Sequence, residues 1–139
     1  MKIYGESFPL QASKQRETLN IHSRVKAAIE KCGFRQGVCV ISSPDSDSAV
    51  VLMQDDAEVL QDVLQDLDRR FERIGSEPVS GIYSAESNSS ARFQAMLLGQ
   101  QVTIPFSEGR LEIGAGEAVF FLELNGVRPR RVVVKIFGE

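Results

Sequence analysis

Carboxylate and amide side chains in the middle and end of the chain could together hold a hard cation. Asp45 and Asp47 are separated by one residue, and Glu86, Asn88 and Glu123 supply further oxygens. Mg²⁺ and Ca²⁺ prefer such oxygen ligands. The acidic pair lacks the glycine and distal glutamate of an EF-hand loop, so the spacing favours the competing interpretation, a solvated acidic loop. We therefore predict neither a resident metal nor a cofactor.

Residues that could act as nucleophiles or bases have no partner nearby in the sequence. The single histidine, His22, begins a predicted helix, and we interpret it as a cap or surface residue rather than a general base. Several serines fall in one polar stretch: Ser84, Ser87, Ser89 and Ser90. A serine nucleophile needs an adjacent base, and the histidine lies far away in the chain, so these serines indicate a solvated loop.

The composition is typical of one globular domain. The chain has 139 residues, of which 42% are hydrophobic and 25% charged, so we expect a single domain over residues 1–139. A net charge of −3 gives no reason to expect nucleic acid or an anionic membrane as a partner. The sequence turns polar directly after Met1, and no apolar run approaches the roughly 20 residues of a membrane span. We therefore expect a cytoplasmic protein.

Two local features have a structural interpretation. Cys32 and Cys39 fall in a predicted helix end and a predicted strand, which favours buried, reduced thiols. The basic cluster Arg128-Pro129-Arg130-Arg131 leads directly into a predicted strand. We interpret it as the start of that strand rather than as a phosphate site.

Apolar runs and turn signals predict an α+β fold. The expected strands cover residues 2–10, 16–21, 37–41, 49–53, 101–106, 109–114, 117–124 and 131–137. Apolar residues at spacings of three and four predict two main helices, over 23–32 and 56–74, and a short helix is expected over 91–98. Residues 12–15 and Asn125-Gly126 carry turn signals. Because short turns join several strands, we expect a largely antiparallel sheet or sandwich.

The C-terminal third of the chain carries a long, ordered set of motifs. They are Leu97-Leu98-Gly99, Thr103-Ile104-Pro105, Glu108-Gly109-Arg110-Leu111, Glu123 and Arg128-Pro129-Arg130-Arg131. In this order they resemble the YjbQ family, a group of small, mostly uncharacterised proteins to which a secondary thiamine-phosphate synthase activity has been ascribed. The resemblance covers nearly the whole chain and implies a compact α+β domain that assembles as a homotrimer.

The sequence departs from the family at its histidines. The family places one histidine after a proline between two central strands, but here Asp45 follows Pro44. No histidine follows Tyr83, and Arg92 stands where the family has a third histidine. Three converging imidazoles would suit zinc binding or proton transfer near neutral pH. Aspartate and arginine at these positions cannot perform either role. We therefore predict that the family's histidine site is dismantled here, although Asn88 and Glu123 are retained.

Asp45 and Arg92 could interact with each other at the position of the family's histidine site. One family histidine is replaced by an acid and another by a base, so the two side chains could form a charge-assisted pair in a half-buried pocket. The alternative is that both are solvated loop residues. The candidate pocket thus comprises Asp45, Asp47, Asn88, Arg92 and Glu123.

Two classes of function fit these observations. The first is a member of the YjbQ family without histidine–metal chemistry, acting as a homo-oligomer that binds a small molecule or a protein, or has a structural role. The second is a divergent enzyme that uses Glu123, Asn88 and Asp45, with Arg92 holding a phosphate-bearing small molecule. A small anionic ligand is a possible partner in either case. The family's own thiamine-phosphate chemistry fits least, because its histidines are absent.

Overall fold

The computed structural model describes residues 1–71 and 88–139. Its strands are β1 (Lys2–Leu10), β2 (Glu17–Asn20), β3 (Gln36–Ser42), β4 (Ser48–Gln54), β5 (Gln101–Ser107), β6 (Arg110–Leu111), β7 (Glu117–Glu123) and β8 (Arg130–Gly138). Its helices are α1 (His22–Cys32), α2 (Ala57–Phe71) and α3 (Ser89–Leu98). Each predicted strand and helix has a counterpart within these two ranges, although the bounds differ, so the α+β class is confirmed.

The strands form two antiparallel sheets. The larger sheet has the order β1-β8-β3-β5-β6, and the smaller has the order β2-β7-β4. Strands that follow one another in the sequence mostly belong to different sheets: β1 pairs with β8, whereas β2 pairs with β7. The Asn125-Gly126 signal therefore does not mark a hairpin, since the segment after β7 crosses to the other sheet to begin β8.

The two sheets and two of the helices form three layers. The first core lies between the sheets and contains side chains of both, together with Val25, Ala28 and Ile29 of α1. The second core lies on the opposite face of the small sheet, which α2 and α3 cover. β7 is apolar at nearly every position because both of its faces are buried. Within residues 1–71 and 88–139, no helix is long and apolar enough to span a bilayer.

Short polar side chains set the helix starts. His22 is the first residue of α1 rather than its cap, and the Asn20 Oδ1 atom accepts a hydrogen bond from the His22 N–H at 2.9 Å. Asp56 Oδ1 accepts from the Glu58 N–H at 3.0 Å before α2. Asn88 Oδ1 accepts from the Ala91 N–H at 3.1 Å, so that α3 begins at Ser89, two residues earlier than the pattern predicts.

Two predicted elements differ in their bounds from the structure or cannot be compared with it in full. The predicted end of the second helix at residues 72–74 and most of the predicted loop over 76–90 lie outside the described residues. The predicted strand over 109–114 is reduced to Arg110–Leu111. Glu108 and Gly109 both have positive φ and form the tight turn. Beyond the hairpin, Gly114 N–H donates to the Glu117 carboxylate at 2.7 Å, which turns the chain out of the sheet.

Candidate functional site

Three connections cross between the two sheets at the same end of the sandwich. They cover residues 11–16, 43–47 and 124–129. The first and third are joined by a hydrogen bond from Gly126 N–H to the Gln15 carbonyl at 2.8 Å. The second is tied to the start of β5, since Ser43 N–H donates to the Gln100 carbonyl at 2.8 Å. The fold therefore brings three polar segments together above the apolar core.

Strand alternation turns two charged side chains into this end of the core. Glu123 follows Val119 and Phe121 on one face of β7, and Arg130 precedes Val132 and other buried residues on one face of β8. The side chains are 0% and 1% exposed. Because the core here is closed to water, each charge needs a partner within the protein.

Arg130 is the centre of a hydrogen-bonded cluster. Its Nε donates to Glu123 Oε1 at 2.9 Å and its Nη2 to Glu123 Oε2 at 2.6 Å, in the bidentate geometry that suits a guanidinium and a carboxylate. Its Nη1 donates to Asp47 Oδ1 at 2.7 Å and lies 3.5 Å from Asp45 Oδ2. One cation thus meets three carboxylates.

The carboxylate of Asp47 has two further partners besides Arg130. Asp47 Oδ2 accepts a hydrogen bond from Asn125 Nδ2 at 3.2 Å and forms an ion pair with Arg128 Nη2. Asn125 N–H donates to Glu123 Oε2 at 3.2 Å. Asn88 Nδ2 donates to Asn125 Oδ1 at 3.4 Å, which connects the start of α3 to the cluster. We call Asp45, Asp47, Asn88, Glu123, Asn125, Arg128 and Arg130 the arginine cluster.

The loop that carries the two aspartates is fixed through its backbone. Ser43 and Ser48, both buried, share a hydrogen bond between their hydroxyl groups across the loop. Gln100 Nε2 donates to the Asp45 carbonyl at 2.7 Å and to the Ser43 carbonyl at 3.2 Å. These contacts hold the loop in a defined position against Arg130.

The charges in the arginine cluster nearly balance. Two guanidinium groups meet three carboxylates, so the cluster carries about one net negative charge. Burial alone lowers the pKa of Arg130, but the hydrogen bonds and charge of Glu123, followed by those of Asp45, outweigh it and raise the pKa above its ordinary value. Arg130 is therefore a cation at neutral pH.

The structure gathers four of the five predicted pocket residues. Asp45, Asp47, Asn88 and Glu123 all belong to the arginine cluster. Arg92 does not, because it lies on the exposed side of α3. The predicted pair between Asp45 and Arg92 is replaced by a contact between Asp45 and Arg130. Arg130 can reach Asp45 because it is at the start of β8 and its side chain faces the core, whereas Arg92 is on the outer face of α3.

The arrangement leaves little capacity for metal binding. Glu123 and Asp47 direct their oxygens at arginine and amide donors, and an oxygen that accepts such hydrogen bonds is not available as an open metal ligand. Glu86, the remaining residue of the predicted oxygen set, lies outside the described residues. Within residues 1–71 and 88–139, no group of three or more histidine, cysteine, aspartate or glutamate side chains is placed to hold a metal ion.

The fold and the arginine cluster define a small α+β protein whose two sheets are joined at one end by buried ion pairs. The family described as UPF0047 protein YjbQ-like matches residues 6–139. The chain therefore belongs to the UPF0047/YjbQ family, as the sequence motifs predict.

Relatives and solved structures agree with this assignment. A UPF0047 protein of Methanothermobacter thermautotrophicus is 30% identical over 142 residues, covering 100% of this chain and 95% of the relative. A YbjQ-like protein of unknown function from Sulfolobus solfataricus has a TM-score of 0.90 at 29% identity, with 99% of each chain covered. A YjbQ/UPF0047 protein of Clostridium acetobutylicum has a TM-score of 0.86 at 28% identity, covering 95% of this chain and 99% of the other. The likeness thus extends over the full fold.

Proposed function

We propose that this protein is a cytoplasmic, homo-oligomeric member of the family that acts by binding or by a structural role, without histidine–metal chemistry. The observation that carries the proposal is the position of Arg130. Its guanidinium lies among the carboxylates of Asp45, Asp47 and Glu123 and supplies the positive charge that a metal ion would otherwise bring to them.

The contacts of Glu123 and Asp47 argue against acid–base catalysis. A general base must present a lone pair to a substrate proton, and its pKa should lie near the working pH. Both Glu123 oxygens accept hydrogen bonds from Arg130, and the side chain is fully buried. Asp47 has comparable contacts on each oxygen. A carboxylate held in this way stabilises a cation and offers no open position to a substrate.

Metal analysis tests the proposal directly. After dialysis against zinc, manganese, magnesium and calcium in turn, the purified protein is expected to retain far less than one metal ion per chain. The reason is that Arg130 already compensates the acidic side chains. Elemental analysis by mass spectrometry provides the measurement. Retention of about one ion per chain would contradict the proposal and favour the divergent enzyme instead.

The outer face of the larger sheet supports the assembly into oligomers. One row across four neighbouring strands is apolar, because Ile3 pairs with Phe137, Phe137 with Val38 and Val38 with Pro105. Ile3 is 63% exposed and Val38 is 38% exposed. Both hydrophobic cores lie on the other side of this sheet. An apolar row on an open sheet face suits contact with another copy of the chain, and the family resemblance implies a homotrimer.

A charge in the middle of this row should break the assembly. Val38→Asp is expected to convert the oligomer to a monomer of 15.4 kDa, because a carboxylate would be buried without a partner in the interface. Light scattering coupled to size exclusion gives the mass. The matched control is Val59→Asp, an exposed valine on α2 that should leave the mass unchanged. A monomeric wild type, or equal behaviour of the two variants, would contradict the proposal.

A further inference from the structure

A cavity lies at the opposite end of the sandwich from the arginine cluster. It has a volume of about 270 Å³ and lies between α1 and the β5–β6 hairpin with the segment that follows it. Its lining residues are His22, Lys26, Ile29, Glu30, Gly109, Arg110, Leu111 and Ile113. Gly109, Arg110 and Leu111, which belong to one of the family motifs, form part of this lining, and no residue of the arginine cluster does.

Helix geometry explains one wall of the cavity. His22, Lys26 and Ile29 are separated by four and three residues, and such positions lie on the same face of a helix. Ile29 is buried and continues into the core, while Lys26 is exposed. The wall therefore grades from an apolar base to a charged rim.

The hairpin supplies the opposite wall with the same gradation. Leu111 and Ile113 pack against the core between the sheets, and Arg110 is exposed beside them. Among the ion pairs of residues 1–71 and 88–139, none involves Arg110 or Lys26. With Glu30 as the acidic lining residue, the rim has a net charge of about +1.

His22 adds a neutral donor. Its Nδ1 accepts a hydrogen bond from Val119 N–H at 3.4 Å, which places the ring proton on Nε2. Burial, followed by the charge of Lys26, lowers the pKa of His22, and the charge of Asp55 opposes this shift. The lowered pKa favours the neutral imidazole, which can donate from Nε2.

We propose that this cavity binds a small organic monocarboxylate with an apolar body. The carboxylate would lie between Lys26 and Arg110, within reach of a donor on His22, and the apolar body would pack on Ile29 and Leu111. The volume of about 270 Å³ is just below the roughly 300 Å³ at which drug-sized pockets begin, so the ligand is small. The site is separate from the one discussed under the proposed function.

Nuclear magnetic resonance titration with hexanoate tests this site. Saturable shifts are expected at the backbone amides of Gly109 and Arg110, with binding at least about tenfold tighter than for hexanamide, which has the same shape without the charge. Inorganic phosphate is the third probe, because it carries charge without an apolar body. Equal binding of hexanoate and hexanamide, or tighter binding of phosphate, would overturn the proposal.

Substitutions locate the effect in the cavity. Lys26→Gln and Arg110→Gln are each expected to weaken hexanoate binding about tenfold, because each removes one charge-assisted contact. Lys31→Gln is the matched control, since Lys31 is exposed on α1 and does not line the cavity. All three positions are on the surface, so folding should be preserved. Equal affinities of the three variants would also overturn the proposal.

Discussion

Glu123→Gln is expected to lower the free energy of unfolding by about 3–5 kcal/mol, which is the usual cost of removing one partner of a buried ion pair. The glutamine amide would place an N–H group against the Arg130 donors, in a position that is 0% exposed. Arg130 would keep Asp47 and Asp45 but lose its bidentate partner. Chemical denaturation followed by circular dichroism measures the change.

A surface pair provides the matched control for this substitution. Arg35 and Glu108 also form an ion pair at 3.0 Å, but their side chains are 76% and 71% exposed. Glu108→Gln is therefore expected to change the free energy of unfolding by less than about 1 kcal/mol. Similar losses for the two variants would show that burial does not determine the strength of the Glu123 contact.

A double variant separates the cost of an unpaired charge from the value of the pair itself. Glu123→Leu combined with Arg130→Met removes both buried charges, and apolar replacement of such pairs is often neutral or stabilising. Asp47 would still contact Arg128 and Asn125. The double variant is therefore expected to be more stable than Glu123→Gln. A lower free energy of unfolding than that of Glu123→Gln would mean that the ion pair stabilises the fold beyond neutralising its own two charges.

The strands were predictable because their signal is local. Each strand has an apolar run or an alternation that the backbone converts directly into buried faces. Their pairing was not predictable in the same way. Asn125-Gly126 is a strong hairpin signal, yet the segment crosses between sheets because β8 pairs with β1 and β3 instead of β7. Pairing depends on contacts between distant segments, which a local turn signal does not contain.

The centre of the candidate site was missed for a related reason. Arg130 stands in a basic cluster with Arg128, which is half-buried, and Arg131, which is exposed. Only the position of Arg130 relative to the strand shows that its side chain is buried. It is two residues before Val132, which is buried, so the period of two places both on the inner face of β8. The periodicity of a helix likewise shows that Arg92 does not belong to the inner face of α3. Ala91, Gln94 and Ala95 form the inner face of α3, and Arg92 lies on the other side.

The second large effect concerns Cys39, a core residue of β3. In a Cys32→Ser variant, where Cys39 is the sole thiol, labelling by a disulfide reagent at pH 8 is expected to be at least about 10³-fold slower than in concentrated guanidinium chloride. In the native chain, burial, with a smaller contribution from Cys32, raises the pKa of the Cys39 thiol to about 12, and burial, the larger cause, remains in the variant. An exposed thiol has a pKa near 8.5, and the thiolate is the reacting species. The fully buried position also blocks the reagent.

The other thiol gives the comparison that makes this result interpretable. In Cys39→Ala, Cys32 remains, half-buried at the end of α1, where its Sγ contacts the Ile29 carbonyl at 3.1 Å. It is expected to react faster than Cys39 in the native protein, because its exposed part is accessible to the reagent. If Cys39 reacts at its unfolded rate, the core between the sheets must open readily. Slow reaction would instead confirm that Cys39 is a structural thiol in a closed core between the sheets.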